Sequence, residues 1–133
     1  MAEPAQANRL RAPALALLVF YWVALVFGTH WPRVSEVLHI GASDKALHFC
    51  AYFGLAVLLG LNWALRGHFG WRQRGLALAL IVLFAALDEW TQIPVGRDAS
   101  VYDWLADGLG AITGLAACVG ILAAARQWRD DNQ

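Results

Sequence analysis

The sequence predicts an all-α fold: an integral membrane bundle of four transmembrane helices with both termini cytoplasmic. Three observations carry that expectation. The chain is 59% hydrophobic and only 15% charged, with a mean hydropathy of +0.49, whereas soluble domains are about one quarter charged. Its apolar residues gather into long uncharged runs, and a bilayer crossing needs about 20 such residues. No run alternates with period two, and lipid admits only helices and closed barrels. The formal charge is zero, so no nucleic-acid partner is expected, and the apolar composition excludes a disordered chain.

The runs define one membrane domain over 1–133, with approximate spans 12–30, 45–65, 75–93 and 104–125 and polar tails at 1–11 and 127–133. Ala12 to Pro32 holds no Asp, Glu, Lys or Arg. It is longer than the 7 to 15 residues of a signal-peptide core, so it is expected to remain as the first helix. Ala46 to Leu65 is uncharged and carries His48 near its start. Gly75 to Leu87 is only 13 residues, about 20 Å of helix, so the third span must take Asp88 and Glu89 into the membrane region. Gly108 to Ala125 likewise needs Trp104 to Asp107 to reach full length. Cys50 and Cys118 fall inside spans and read as small packing residues.

Orientation follows from the basic residues of the short loops, whose excess stays cytoplasmic. Arg9, Arg11, Arg66, Arg72, Arg74, Arg126 and Arg129 share one side; Arg33, Lys45 and Arg97 share the other. Trp31, Trp90 and Trp104 at one interface, and Trp63, Trp71 and Trp128 at the other, agree with aromatic belts. Sorted this way, neutrality is a cancellation across the bilayer: the inner side has a basic excess and the outer side an acidic one.

Every ionisable residue that enters a span does so at the outer end. Asp44, Lys45 and His48 open the second helix, Asp88, Glu89 and Gln92 close the third, and Asp103 and Asp107 open the fourth, with Arg97 in the intervening loop. Residues four apart share a helix face, which places Asp44, His48 and Tyr52 in one row, Asp88 and Gln92 in a second, and Asp103 and Asp107 in a third. Below Asp107 run Gly110, Gly114 and Cys118 with Ala106 alongside. That small-residue stripe lets another helix approach closely. It makes the fourth helix the expected centre of the bundle and a candidate surface for a homodimer. Plainer roles exist for several of these groups. Asp44 and Asp103 suit helix N-termini, Lys45 can snorkel to the interface, and Arg97 can neutralise nearby acids. Asp88 and Glu89 are the hardest to explain by solvation alone, because ionised groups at membrane depth are costly.

In this order, Asp44-Lys45-Ala46-Leu47-His48-Phe49 with Tyr52, Asp88-Glu89-Trp90-Thr91-Gln92, and Gly96-Arg97-Asp98-Ala99-Ser100 with Asp103 and Gly110 resemble the VanZ-like family of small membrane proteins. The resemblance runs from about Asp44 to Gly114. Where the family pattern carries Asn, this chain has Asp107, which makes the outer cluster more acidic. The resemblance implies a multi-pass protein of the bacterial inner (plasma) membrane and a link to low-level resistance to glycopeptides such as teicoplanin. It brings no settled enzymatic activity and no cofactor. The residues it carries over are Asp44, Lys45, His48, Asp88, Glu89, Gln92, Arg97 and Asp103.

Two function classes follow. In the first, beside its contact with the bilayer, the protein offers an outward-facing polar pocket to a lipid-linked envelope precursor, an anionic lipid head group or a glycopeptide drug, with Arg97 and Lys45 as its cations. In the second, His48, Asp88 and Glu89 are catalytic groups acting on a membrane-embedded substrate. No dedicated metal signature or nucleophile turn is present, and a divalent metal stays open because carboxylates with one imidazole suit several ions. The first class is preferred. Proton or ion movement has less to rest on, since the inner halves of the spans hold no ionisable partner.

Overall fold

The computed structural model describes residues 4–31, 43–95 and 99–132. Four long helices follow one another: α1 (Pro4–His30), α2 (Asp44–Ala64), α3 (Trp71–Gln92) and α4 (Val101–Asp130), with one turn of 3₁₀ helix at Ile93–Val95 after α3. No strand occurs among the described residues. All four helices are long and apolar enough to cross a membrane. They run alternately up and down, so the C-terminal ends of α1 and α3 lie beside the N-terminal ends of α2 and α4.

Local chemistry sets the ends. The Ser43 hydroxyl accepts from the Ala46 amide at 3.3 Å and the Ser100 hydroxyl from the Asp103 amide at 3.3 Å, capping α2 and α4. Gly67, with φ of +77°, takes the left-handed conformation in the turn between α2 and α3. At that same end Arg11 Nε donates to the Leu65 carbonyl at 3.1 Å, and Arg66 donates to the carbonyl of Asn62 at 2.9 Å and to its side-chain oxygen. These cations satisfy carbonyls that the end of α2 would otherwise leave open. The two arginines therefore hold this end of the bundle together as well as adding basic charge to it.

The most extensive packing is between α2 and α4. A methyl group at Gly110 would overlap the backbone of Phe49 and Phe53, and one at Gly114 the carbonyl of Phe53 and the side chain of Ala56. The small-residue stripe is thus filled by α2 of the same chain, with Cys118 buried at its lower end. Ala106 is half-buried beside it. A pairing of two chains through α4 would have to use a different face. The fourth helix packs on both α2 and α3, as expected of a central helix, and α2 shares that position, packing on α1 as well. The rest of the core is small and apolar, with Ala56, Ala77, Ile81, Ala85, Ala111 and Leu115 buried around Tyr52. Large apolar side chains such as Phe20, Phe27, Leu83 and Leu109 point outward, as a lipid-facing surface requires.

The largest departures from the hydropathy-based spans are extensions of the helices. The stretches expected as polar tails are helical from Pro4 and as far as Asp130, and α4 begins at Val101 rather than 104. Charged residues end an apolar run without ending a helix, and Ser100 supplies the start that hydropathy does not register.

Candidate functional site

The polar side chains meet at the end of the bundle formed by the close of α1 and α3 and the start of α2 and α4. Asp88 and Glu89 are successive residues on α3, about 100° apart around the helix, and they face different neighbours. Asp88 turns towards α1 and α2. Its Oδ1 accepts from the Thr29 hydroxyl at 3.1 Å and lies 3.6 Å from His30 Nδ1. Its Oδ2 accepts from the Tyr52 hydroxyl at 3.2 Å and from Gln92 Nε2 at 3.1 Å. Both oxygens are engaged, and the group is held by three helices.

Glu89 turns towards α4. Its Oε2 accepts from the Ser100 backbone amide at 2.8 Å, and its Oε1 approaches His48 Nδ1 at 3.7 Å, beyond hydrogen-bond distance. The same His48 nitrogen lies 3.0 Å from Asp107 Oδ1. One imidazole on α2 therefore stands between a carboxylate of α3 and one of α4. Glu89 Oε1 and Asp107 Oδ2 are buried without a hydrogen-bond partner among the described residues. Leaving such atoms unpaired costs about 1–3 kcal/mol each, more for charged groups.

Nearer the surface, Lys45 Nζ lies 3.3 Å from Asp103 Oδ1, with the lysine more than half exposed. Asp44 is exposed at the first turn of α2, and one of its oxygens falls within 4.8 Å of ligand atoms of His48 and Asp103. Of the residues singled out from the sequence, His48, Asp88, Glu89, Gln92, Asp103 and Asp107 are buried, while Lys45 and Asp44 form an exposed rim above them. Arg97 lies outside the described residues, as do Asp98 and Arg33. Sequence reasoning missed Thr29 and His30. Two adjacent polar residues closing an otherwise apolar first span were the available signal. His30 Nε2 also meets the Thr91 hydroxyl at 3.1 Å, tying α1 to α3.

Two clefts border this cluster. One, of about 350 Å³, is apolar and lies between α1, α2 and α3, lined in part by Leu18, Trp22, Leu55, Leu59, Ile81 and Phe84. Phe84 packs on Tyr52 with ring centroids 6.0 Å apart, so the apolar cleft begins one helical turn below Asp88. The second, of about 220 Å³, opens between α3 and α4 beside Glu89, Ser100 and Trp104.

Fold and site together define a class: a small multi-pass membrane protein whose four helices bury a histidine and several carboxylates at one end. The chain belongs to the VanZ/LLP1 family, whose model matches residues 2–123. The match extends over the first helix, whose Thr29 and His30 complete the Asp88 side of the cluster. Neither the curated proteins nor the solved structures contain a match to the chain.

Proposed function

We propose that the protein binds an amphipathic, lipid-linked envelope component or lipid at the outer face of the bacterial inner membrane, with the head group at the polar end and the chain in the apolar cleft. The observation that carries this reading is the continuity between the two. The cleft of about 350 Å³ falls in the size range of small-molecule sites, and the Phe84–Tyr52 pair joins its upper wall to Asp88. Lys45 at the rim and Arg97 in the neighbouring loop supply cations for a phosphate or carboxylate, the guanidinium through paired hydrogen bonds. Retention of an envelope precursor, or capture of a glycopeptide whose own lipid tail enters the cleft, accounts for low-level teicoplanin resistance of the kind that the family resemblance implies.

The test is binding of a polyprenyl phosphate to the detergent-purified chain, followed by native mass spectrometry. Leu55→Trp fills the cleft, and the expected result is at least a tenfold loss of binding with helicity unchanged. Equal binding by wild type and variant would remove the cleft from the reading. In cells, Arg97→Gln is expected to abolish glycopeptide protection at unchanged membrane abundance.

One observation favours a second reading, an enzyme acting on the same lipid. His48 is set between Asp107 and Glu89 as a general base is set beside its orienting acid. Lipid extracts from cells with and without the protein, and with Glu89→Gln, separate the two readings. A product that depends on Glu89 supports chemistry, and identical profiles support binding alone.

A further inference from the structure

We infer that His48, Glu89 and Asp107 form a binding site for one divalent transition-metal ion of the Zn(II) or Mn(II) kind. The existence of this site does not depend on the lipid-binding reading, although its use in that reading does. The three residues come from α2, α3 and α4, and each offers a ligand atom within 4.8 Å of the others. His48 Nδ1 lies 3.0 Å from Asp107 Oδ1 and 3.7 Å from Glu89 Oε1. Zinc bound at about 2.0–2.2 Å to nitrogen and carboxylate oxygen places tetrahedral ligands about 3.3 Å apart, a spacing that these two distances bracket. Manganese takes the same mixture of imidazole and carboxylate.

Acidic clusters are common without a metal, so a second observation is needed, and the unpartnered oxygens provide it. Glu89 and Asp107 are 6% and 0% exposed, and each buries a carboxylate oxygen without a hydrogen-bond donor among the described residues. Asp88, one residue away, has donors on both of its oxygens. A packing role would be expected to satisfy Glu89 and Asp107 in the same way. A cation supplies what the described residues around them do not, and it offsets like charges that would otherwise repel at short range. With its proton on Nε2, His48 presents the Nδ1 lone pair to the same space.

The ion also gives the polar end a use. The carboxylates alone repel a phosphate, whereas a metal held by Glu89, Asp107 and the His48 imidazole attracts one as a further ligand. The opening beside Glu89 and Ser100 is where such a ligand can approach.

The experiment uses the full chain purified in detergent without chelator. Its metal content is measured by mass spectrometry, and Zn(II) and Mn(II) chlorides are titrated into chelator-treated protein by calorimetry. The expected result is about one equivalent per chain, with affinity reduced about a hundredfold or more in Glu89→Gln and in His48→Gln. Thermal unfolding guards against a variant that merely misfolds. Metal is expected to raise the midpoint of the wild type and leave that of a helical Glu89→Gln protein unmoved. A wild type that retains no metal and whose midpoint ignores millimolar Zn(II) and Mn(II) overturns the site, as does a variant that binds as tightly as wild type. Polyprenyl phosphate binding is then measured with and without EDTA. Binding lost in EDTA supports both the site and its use. A metal-loaded protein that binds no polyprenyl phosphate overturns the lipid reading and leaves the metal site standing.

Discussion

Asp88 and Glu89 are neighbours in the chain and both are buried at the same end of the bundle, yet their surroundings are opposites. Asp88 accepts from Thr29, Tyr52 and Gln92, donors from all three of the helices α1, α2 and α3. Glu89 has one backbone donor, a histidine just out of reach and an oxygen without a hydrogen-bond partner among the described residues. The first arrangement is closed, since every acceptor is used and its removal leaves donors stranded. The second is open, since it keeps acceptor capacity in reserve. Polar networks that are fully satisfied fix a structure, while partly satisfied ones are costly and persist where something else completes them. The Asp88 half therefore reads as the joint that holds α1 against the bundle and closes the upper end of the apolar cleft, and the Glu89 half as the part with acceptor capacity left for a cation.

The sharpest way to break this comparison is Asp88→Ala. Tyr52 and Gln92 lose their shared acceptor, at about 1–3 kcal/mol for each buried donor left unpaired, while the Thr29 hydroxyl can turn to the Val26 carbonyl 3.2 Å away. A loss of several kcal/mol should appear as a large fall in the unfolding midpoint in detergent, with α1 the first helix to become accessible to protease. Gly110→Ala attacks the open half without altering any of its polar side chains. The added methyl meets Phe49 and Phe53 backbone, separating α2 from α4 at about 1–3 kcal/mol, and it should disturb the His48 and Asp107 pair more than the Asp88 network. Solvent exchange at His48, followed by nuclear magnetic resonance, measures that difference. Tyr52→Phe is the milder probe of the closed half. It keeps the ring contact with Phe84 and removes one hydrogen bond to a carboxylate, about 1.5 kcal/mol, read from the same unfolding midpoint.

The comparison also marks where sequence reasoning stops. The four spans were legible because charge ends a hydropathic run, and the same property hid the helical ends, where Arg9, Arg11, Arg126 and Arg129 continue helices beyond the apolar stretch. The convergence of His48, Asp107 and the α3 acids followed from four-residue spacing at antiparallel ends. What spacing did not supply was the division between Asp88 and Glu89, which the sequence reading treated as one pair. Helical geometry alone turns adjacent residues to different sides, but which partner each meets is decided by packing. Thr29 and His30 gave only a faint signal for a related reason. They are polar groups at the edge of an apolar run, and only the placement of α1 against α3 gives them a carboxylate. The stripe below Asp107 signalled close approach, and the choice of α2 as the helix that fills it came from the fold.

The smallest expected effect is also the most discriminating. Glu89→Gln keeps an acceptor for the Ser100 amide and nearly the same volume, while removing one charge from the crowded side of the cluster. In chelator-treated protein the variant should be as stable as wild type or more so by up to about 1 kcal/mol, because relief of repulsion from Asp107 offsets the lost attraction to His48. The matched change in the closed half, Asp88→Asn, sacrifices at least one charge-assisted hydrogen bond, about 1.5–3 kcal/mol. Paired unfolding curves for the two isosteric variants therefore measure the asymmetry directly. If Glu89→Gln costs as much as Asp88→Asn without metal, the Glu89 carboxylate is structural and the distinction between the halves fails. If it costs nothing until metal is added, and the wild type alone then gains stability, the acceptors left open at Glu89 and Asp107 are the ones that a ligand completes.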